Sequence, residues 1–334
     1  MRKYPSRRKF LGTTTVALTG LVLSNKTFGF PAIIRNLGKP NSKFNGVQIG
    51  AITYSFRSLP SNAEQILKYC VDCNISAIEL MGNTGEAFAG APHTVTEPRA
   101  GGPGGGRPGG QRTPEEQAAQ NARMKEIADW RASVSMDKFG QLRKMYKDAG
   151  VEIYAWKPNA LNERSTDAEI EYALRSAKAL GASHVTVELP SNAAHSKRLG
   201  EFATKHKIAV AYHGHLQQTI TAWDEAIAQS AYNGLNCDIG HYVAAGFDPL
   251  PLIEQKHEKI YSMHLKDRKS KANGGANVAW GEGDTPIIPV LELIRTKKLK
   301  FPGTIEMEYA VPEGSDAVKE VAKCVEFCRK ALKA

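Results

Sequence analysis

Eight short, β-rich apolar runs separated by longer amphipathic stretches predict a closed α/β barrel of eight strands, a single-domain (β/α)8 TIM barrel. Two further observations favour closure over an open doubly wound sheet. Polar and charged residues mark strand ends along the whole chain, and no Gly-x-Gly-x-x-Gly follows the first strand. The length of 334 residues suits one barrel, and 42% hydrophobic content supplies an ordinary core.

The strands are expected at 47–56, 75–82, 151–158, 184–189, 208–213, 235–239, 260–265 and 303–308. None alternates cleanly, as befits strands covered on both faces. Helices fill the intervals, and three open with capping boxes: Ser61-x-x-Glu64, Thr113-Pro114-x-Glu116 and Thr166-x-x-Glu169. The barrel therefore occupies 46–334. One long connection, after the second strand, breaks the rhythm. Its Gly/Pro-rich tract around 90–112, including Arg99 to Gln111, cannot pack a core and reads as a disordered insertion more than as a lid. Thr113 to Gly150 then reads as two helices.

The opening residues form an address. Arg7-Arg8-Lys9-Phe10-Leu11 precedes an apolar stretch from Gly12 to Ser24, too short to span a bilayer. Adjacent arginines followed by Phe-Leu match the twin-arginine export motif, so residues 1–32 are expected to be a signal peptide. The expected location is the periplasm or beyond, with no membrane span after cleavage. This segment also explains much of the formal charge of +10, since six basic residues and no acid lie within the first 31 positions. The remaining excess is spread over spacer and loop, so nucleic-acid binding is not expected. Five cysteines make an odd count, unsuited to a disulfide framework; Cys70, Cys73, Cys237, Cys324 and Cys328 read as core.

Four of the nine histidines fall in three segments at strand ends: Tyr-His213-Gly-His215, Asp238-Ile-Gly-His241 and Met-His264-Leu-Lys266-Asp267. Glu188 and Glu306 extend the series on either side. Imidazole and carboxylate suit a divalent ion, and a barrel aims successive strand ends at one point. His184, His195, His206 and His257 fall at a strand start or on helices and read as structural or surface.

The run from Cys-Asp238-Ile-Gly-His241 through Asp248-Pro, His264-Leu-Lys-Asp267 and Gly281-Glu-Gly-Asp284 to Ile-Glu306 resembles the xylose-isomerase-like TIM-barrel superfamily over residues 46–334. Tyr-His-Gly-His resembles an exported branch of it, the sugar phosphate isomerase/epimerase family. The resemblance implies acidic or imidazole metal ligands on strands five to eight: Asp238, His264 and Glu306. The fifth strand of that superfamily usually brings glutamate; here it brings His213, for which Glu188 one strand earlier would compensate. His215 and His241 are left as ligand or proton carrier.

The expected cofactor is thus one divalent ion: Mn, Zn, Co, Fe or Mg. The expected partner is a small sugar, with a homo-oligomer possible. With no P-loop or similar phosphate cradle, the sugar is expected to be unphosphorylated. The reaction would be isomerisation or epimerisation by proton abstraction beside a carbonyl, with enediolate stabilisation by the metal. Glu306 and either Glu188 or His213 would carry the proton, with His241 and Lys266 also in the catalytic group. Glu79, Trp156, Lys157, His215, Asp267 and Trp280 are expected to contact substrate. A lyase or hydrolase acting on 3-keto-glycosides, an endonuclease-IV-like phosphodiesterase and a non-catalytic sugar binder remain alternatives. The phosphodiesterase would want histidines on strands two and three, which offer Glu79 and Lys157.

Overall fold

The computed structural model describes residues 38–98 and 113–333. The proposed signal peptide and the Gly/Pro-rich tract from 99 to 112 lie outside the described residues. Eight parallel strands form the barrel: β1 (Val47–Ile52), β2 (Ala77–Met81), β3 (Glu152–Lys157), β4 (His184–Glu188), β5 (Ala209–His213), β6 (Asn233–Asp238), β7 (Ile260–Leu265) and β8 (Gly303–Ile305). Each pairs with the next, and β1 closes onto β8 through Ile49↔Gly303, Gly50↔Thr304 and Ala51↔Ile305. A two-residue strand, Lys43–Phe44, pairs antiparallel with the start of β1.

The expected strands all form, shorter at both ends of the chain. After Ile52 the backbone turns into a 3₁₀ segment, Thr53–Phe56, and β8 stops at Ile305. One further ladder bond, from Glu306 N–H to the Leu265 carbonyl at 3.0 Å, holds the next residue in line.

The helices surround this barrel: α1 (Ala63–Asp72), α2 (Gly82–Ala89), α3 (Pro114–Ser133), α4 (Asp137–Asp148), α5 (Asp167–Leu180), α6 (Ala193–His206), α7 (Asp224–Gln229), α8 (Ile239–Ala245), α9 (Pro249–Lys256), α10 (Ile287–Thr296) and α11 (Ala317–Ala331). Thr113 and Thr166 make the complete capping boxes expected of them. The third expected box does not form. Helix α1 starts one residue later, capped by Asn62, which accepts from Gln65 N–H. An asparagine caps as well as a serine, and the Ser61 hydroxyl is spent on the Thr96 carbonyl.

The core lies between the barrel wall and the helices. All five cysteines are free and buried there, as expected. Helix α3 contributes little to it; along its length only Arg131 is buried. That guanidinium donates to Glu86 (3.0 Å) and to Glu169 (2.9 Å), tying the helix to α2 and α5. No described helix is long and apolar enough to cross a membrane.

The Thr166 cap satisfies an N–H that would otherwise be orphaned at the start of α5. Thr166→Ala is therefore expected to lower stability by about 1 kcal/mol. A urea melt checks this; an unchanged midpoint would mean that the box is not formed in solution.

Candidate metal centre

Three of the strand-end residues lie inside the last turn of their strands, and cross-strand register decides who meets whom. His213 ends β5 opposite Asn236 of β6. Asp238 ends β6 opposite His264 of β7, and His264 lies opposite Thr304 of β8. Glu306 follows β8 directly. One ligand atom from each of His213, Asp238, His264 and Glu306 lies within 4.8 Å of the others, and all four residues are buried.

Each has a defined orientation. His264 Nε2 faces Glu79 Oε2 at 2.8 Å, while its Nδ1 faces Glu306 Oε2 at 2.9 Å. His213 Nδ1 faces Asn236 Oδ1 at 3.0 Å, which leaves Nε2 as its free nitrogen. The Asn236 amide in turn donates to Glu79 and to Ser262. Asp238 caps α8, its Oδ1 accepting the His241 N–H at 2.7 Å. Its Oδ2 lies 3.0 Å from Lys266 Nζ but has no partner at hydrogen-bonding angles among the described residues.

Lys266 Nζ sits among three carboxylates, 2.7 Å from Glu306 and 2.6 Å from Glu308 besides Asp238. Gly240 makes this possible. A Cβ there would lie 2.2 Å from Lys266 Cγ and 2.8 Å from its carbonyl oxygen.

Electrostatics follow from burial and these pairings. Burial opposes charge on His264, but the carboxylates of Glu306 and Glu79 raise its pKa to about 10. Burial likewise opposes charge on Glu306, yet Lys266 and His264 hold it well below the usual carboxylate range. Burial raises Asp238, only partly countered by Lys266. His213 is pushed well below its usual value by burial, then by Lys157 and His264, so it stays a neutral donor.

Two neutral-capable imidazoles and two carboxylates fit a divalent transition ion. The partners behind them fit as well. Carboxylate or amide oxygens on the far nitrogens of His264 and His213 fix which ring atom faces the centre. A second trio, His213, His215 and His241, also lies within 4.8 Å. It fits less well. Arg268 donates to His241 Nδ1, and a guanidinium has no acceptor. The neutral His241 ring therefore carries its proton on Nε2. His215 Nε2 pairs with Glu188 at 3.2 Å, and its ring stacks on His241 at 4.6 Å between centroids.

No family model and no curated protein matches this chain. Solved structures do. A xylose isomerase domain protein from Planctomyces limnophilus is 14% identical, covering 88% of this chain and 98% of its own, with a TM-score of 0.55. The 3-keto-D-glucoside 4-epimerase of E. coli is 10% identical over 85% and 99% of the two chains, TM-score 0.56. The IolI protein with a bound zinc atom is 15% identical over 86% and 96%, TM-score 0.52. The chain has the fold of the xylose isomerase-like TIM barrels.

In this barrel the other expected site residues separate into groups. Glu188, expected among the ligands, is not in the four-residue set; its half-exposed carboxylate pairs with Lys157 (2.8 Å) and His215. Burial would raise its pKa, but His215 and Lys157 hold it below the carboxylate range. Glu79, expected against substrate, is fully buried two residues before the end of β2 and instead braces His264. Trp156 is a correction too. Its side chain alternates to the outside of β3, where it packs on Phe139 of α4 and under Gly85 of α2, so it offers no wall to a ligand in the mouth. Asp267 accepts from the N–H groups of Gly281 (2.8 Å), Gly283 (2.9 Å) and Thr285 (3.3 Å), and a Cβ on Gly283 would overlap it. It therefore folds the Gly-Glu-Gly-Asp loop. Trp280, just before that loop, packs edge-on against Phe327 of α11.

The histidines read as structural behave so. His184 is buried against Ser262 Oγ, its pKa lowered by burial to about 4, and His195 bonds the Leu161 carbonyl. Sequence reasoning missed Asn236, Glu308 and Arg268. Asn236 had a signal, since it stands two residues before Asp238 and so on the same strand face.

His264 has a folded pKa of about 10 against about 6.5 when exposed. Its ion pairs thus stabilise the metal-free fold fully below pH about 6.5 and are lost as pH climbs toward 10. Chelator-treated protein is expected to lose melting temperature across that interval. Glu79→Gln should lower the acid-side plateau and flatten the slope. A profile equally steep in wild type and variant would show that the Glu79–His264 pair is not its source.

Proposed function

We propose that this chain is a divalent-metal-dependent sugar isomerase or epimerase acting on an unphosphorylated sugar or sugar derivative. The observation that carries the reading is the buried convergence of His213, Asp238, His264 and Glu306 at the C-terminal ends of four successive staves, β5 to β8. That face is where barrel enzymes place their chemistry. The similarity to a 3-keto-D-glucoside epimerase and to a zinc-bound IolI supports it at the level of fold. The twin-arginine stretch supports an exported enzyme, and hence an unphosphorylated substrate.

When bound, the ion supplies Lewis-acid stabilisation of the negative charge that develops on a carbonyl oxygen. The chain supplies the rest. Glu188 is held ionised by its partners, lies outside the ligand set and is open to the mouth, so it takes the proton from the carbon beside the carbonyl. The Lys266–Glu306 pair stands on the opposite side, since β4 and β8 are four staves apart in a ring of eight. Return of a proton from that side epimerises the same carbon or isomerises to its neighbour. His241 is half-buried and held neutral, its pKa lowered to about 3 by desolvation and then by Lys266, His215 and Arg268. Its Nε2–H donates to a substrate oxygen.

Elemental analysis of the purified full chain is expected to find near-stoichiometric transition metal in wild type and none in an Asp238→Ala/His264→Ala variant. Wild-type protein that neither carries nor takes up an ion would overturn the reading. Glu188→Gln separates base from ligand. It should keep its metal while exchange of the α-hydrogen of ketohexoses in D₂O, followed by NMR, falls about 10²–10⁴-fold. Loss of metal in this variant would instead return Glu188 to the ligand set.

A further inference from the structure

Lys266 brings a positive charge to the place where the candidate ligands converge. It stands two residues beyond His264, so it turns to the same side of the barrel wall, and it is 2% exposed. Its Nζ lies 3.0 Å from Asp238 Oδ2, 2.7 Å from Glu306 Oε2 and 2.6 Å from Glu308 Oε2. Asp238 and Glu306 belong to the four-residue set; Glu308 does not. The edge of the centre that Asp238 and Glu306 share thus carries a second position, ringed by carboxylate oxygens and filled by an ammonium.

That position has the marks of a cation site. Asp238 is fully buried, and its Oδ2 has no partner at hydrogen-bonding angles among the described residues, although Nζ is near. A buried acceptor without a directed hydrogen bond is costly, and a cation answers it from any direction. Carboxylate oxygens suit a hard ion such as Mg²⁺ or Mn²⁺, at about 2.0–2.2 Å, so the three side chains would need to close in only slightly. Lys266 is closely held where it is. A Cβ on Gly240 would come within 2.2 Å of its Cγ and 3.1 Å of its Cδ, so the stem has little room to withdraw. Charge points the same way. The ammonium and one divalent ion together match the three carboxylates; a second divalent ion beside the ammonium would leave an excess of positive charge in a buried place.

We propose that Lys266 is the resident second cation of this centre, filling a carboxylate position that would otherwise take a second divalent ion. The centre then works with one ion and one fixed lysine charge. This inference rests on the metal reading above and adds what limits the site to a single ion.

Metal content of the full chain tests it. Each protein is purified with excess Mn²⁺ present and dialysed, and its bound Mn is measured by elemental analysis. Wild type is expected to hold one Mn per chain. Lys266→Ser is expected to hold two, with the EPR signature of a coupled pair about 3.5–4 Å apart. Lys266→Gln, which keeps a donor for the carboxylates and an oxygen for an ion, is a second route to the same count. Lys266→Ser/Glu308→Gln should return to one, which places the second ion at Glu308. Two ions in wild type, or one in both Lys266 variants, would overturn the proposal. So would Lys266 variants that fail to fold with Mn²⁺ while the double variant folds, because their carboxylates would have found no ion. Wild type without any ion would overturn the metal reading itself, and this inference with it.

Discussion

The barrel mouth is organised by a constraint of charge. Four carboxylates, Glu79, Asp238, Glu306 and Glu308, converge on two cations, His264 and Lys266, and most of these groups are buried. Taking so many charges out of water is expensive, and replacement by apolar residues would be at least as stable. The cluster's composition is one that could hold a divalent ion. With both cations protonated it still carries an excess of negative charge. A divalent ion held by Asp238 and Glu306 would offset that excess more fully than the imidazolium proton it would displace.

Around this cluster the local sequence is shaped by packing as much as by chemistry. Gly240 leaves room for the Lys266 stem, and Gly283 leaves room for the Asp267 carboxylate. The Asp-Ile-Gly-His and Gly-Glu-Gly-Asp signatures are therefore partly steric. One lets a lysine cross into the mouth, and the other wraps a loop onto an aspartate that touches no ligand position. Asp238 serves twice, capping α8 with one oxygen and facing the centre with the other. That dual use ties the helix orientation to the position of the ligand oxygen.

Much of this was legible in the sequence because strand period and strand ends are local. Eight apolar runs gave eight staves, and polar residues at their C-termini gave His213, Asp238, His264 and Glu306. What was hidden depends on contacts between distant strands. Glu79 looked like a pocket residue because it lies near the end of β2, but it is one side-chain step deeper and reaches across the barrel to His264. Trp156 looked available because it precedes Lys157, yet alternation turns it outward. Glu188 extended the ligand series by position, and only geometry pairs it with Lys157 and His215. Of the missed residues, Asn236 carried a readable trace: it stands two positions before Asp238, as Ser262 and Thr304 stand before His264 and Glu306. A polar residue at that spacing within an apolar strand lies on the barrel's inner face, where its partners come from other strands: Asn236 bonds His213, Ser262 bonds Asn236 and His184, and Thr304 bonds Tyr154.

The same reasoning divides labour around the barrel. Strands β5 to β8 supply the four candidate ligands, and partners in the layer below fix the ring nitrogens of His213 and His264. Strands β2 and β3 supply no ligand atom to that set. They contribute Glu79 as a brace for His264 and Lys157 as the holder of Glu188. The long connection between them brings α3, a helix that buries little but its one arginine. Its hold on the barrel is that buried guanidinium, set between the carboxylates of Glu86 and Glu169. The candidate ligands thus come from one half of the ring, while Glu188 on β4 meets Lys157 of β3 and His215 just beyond β5.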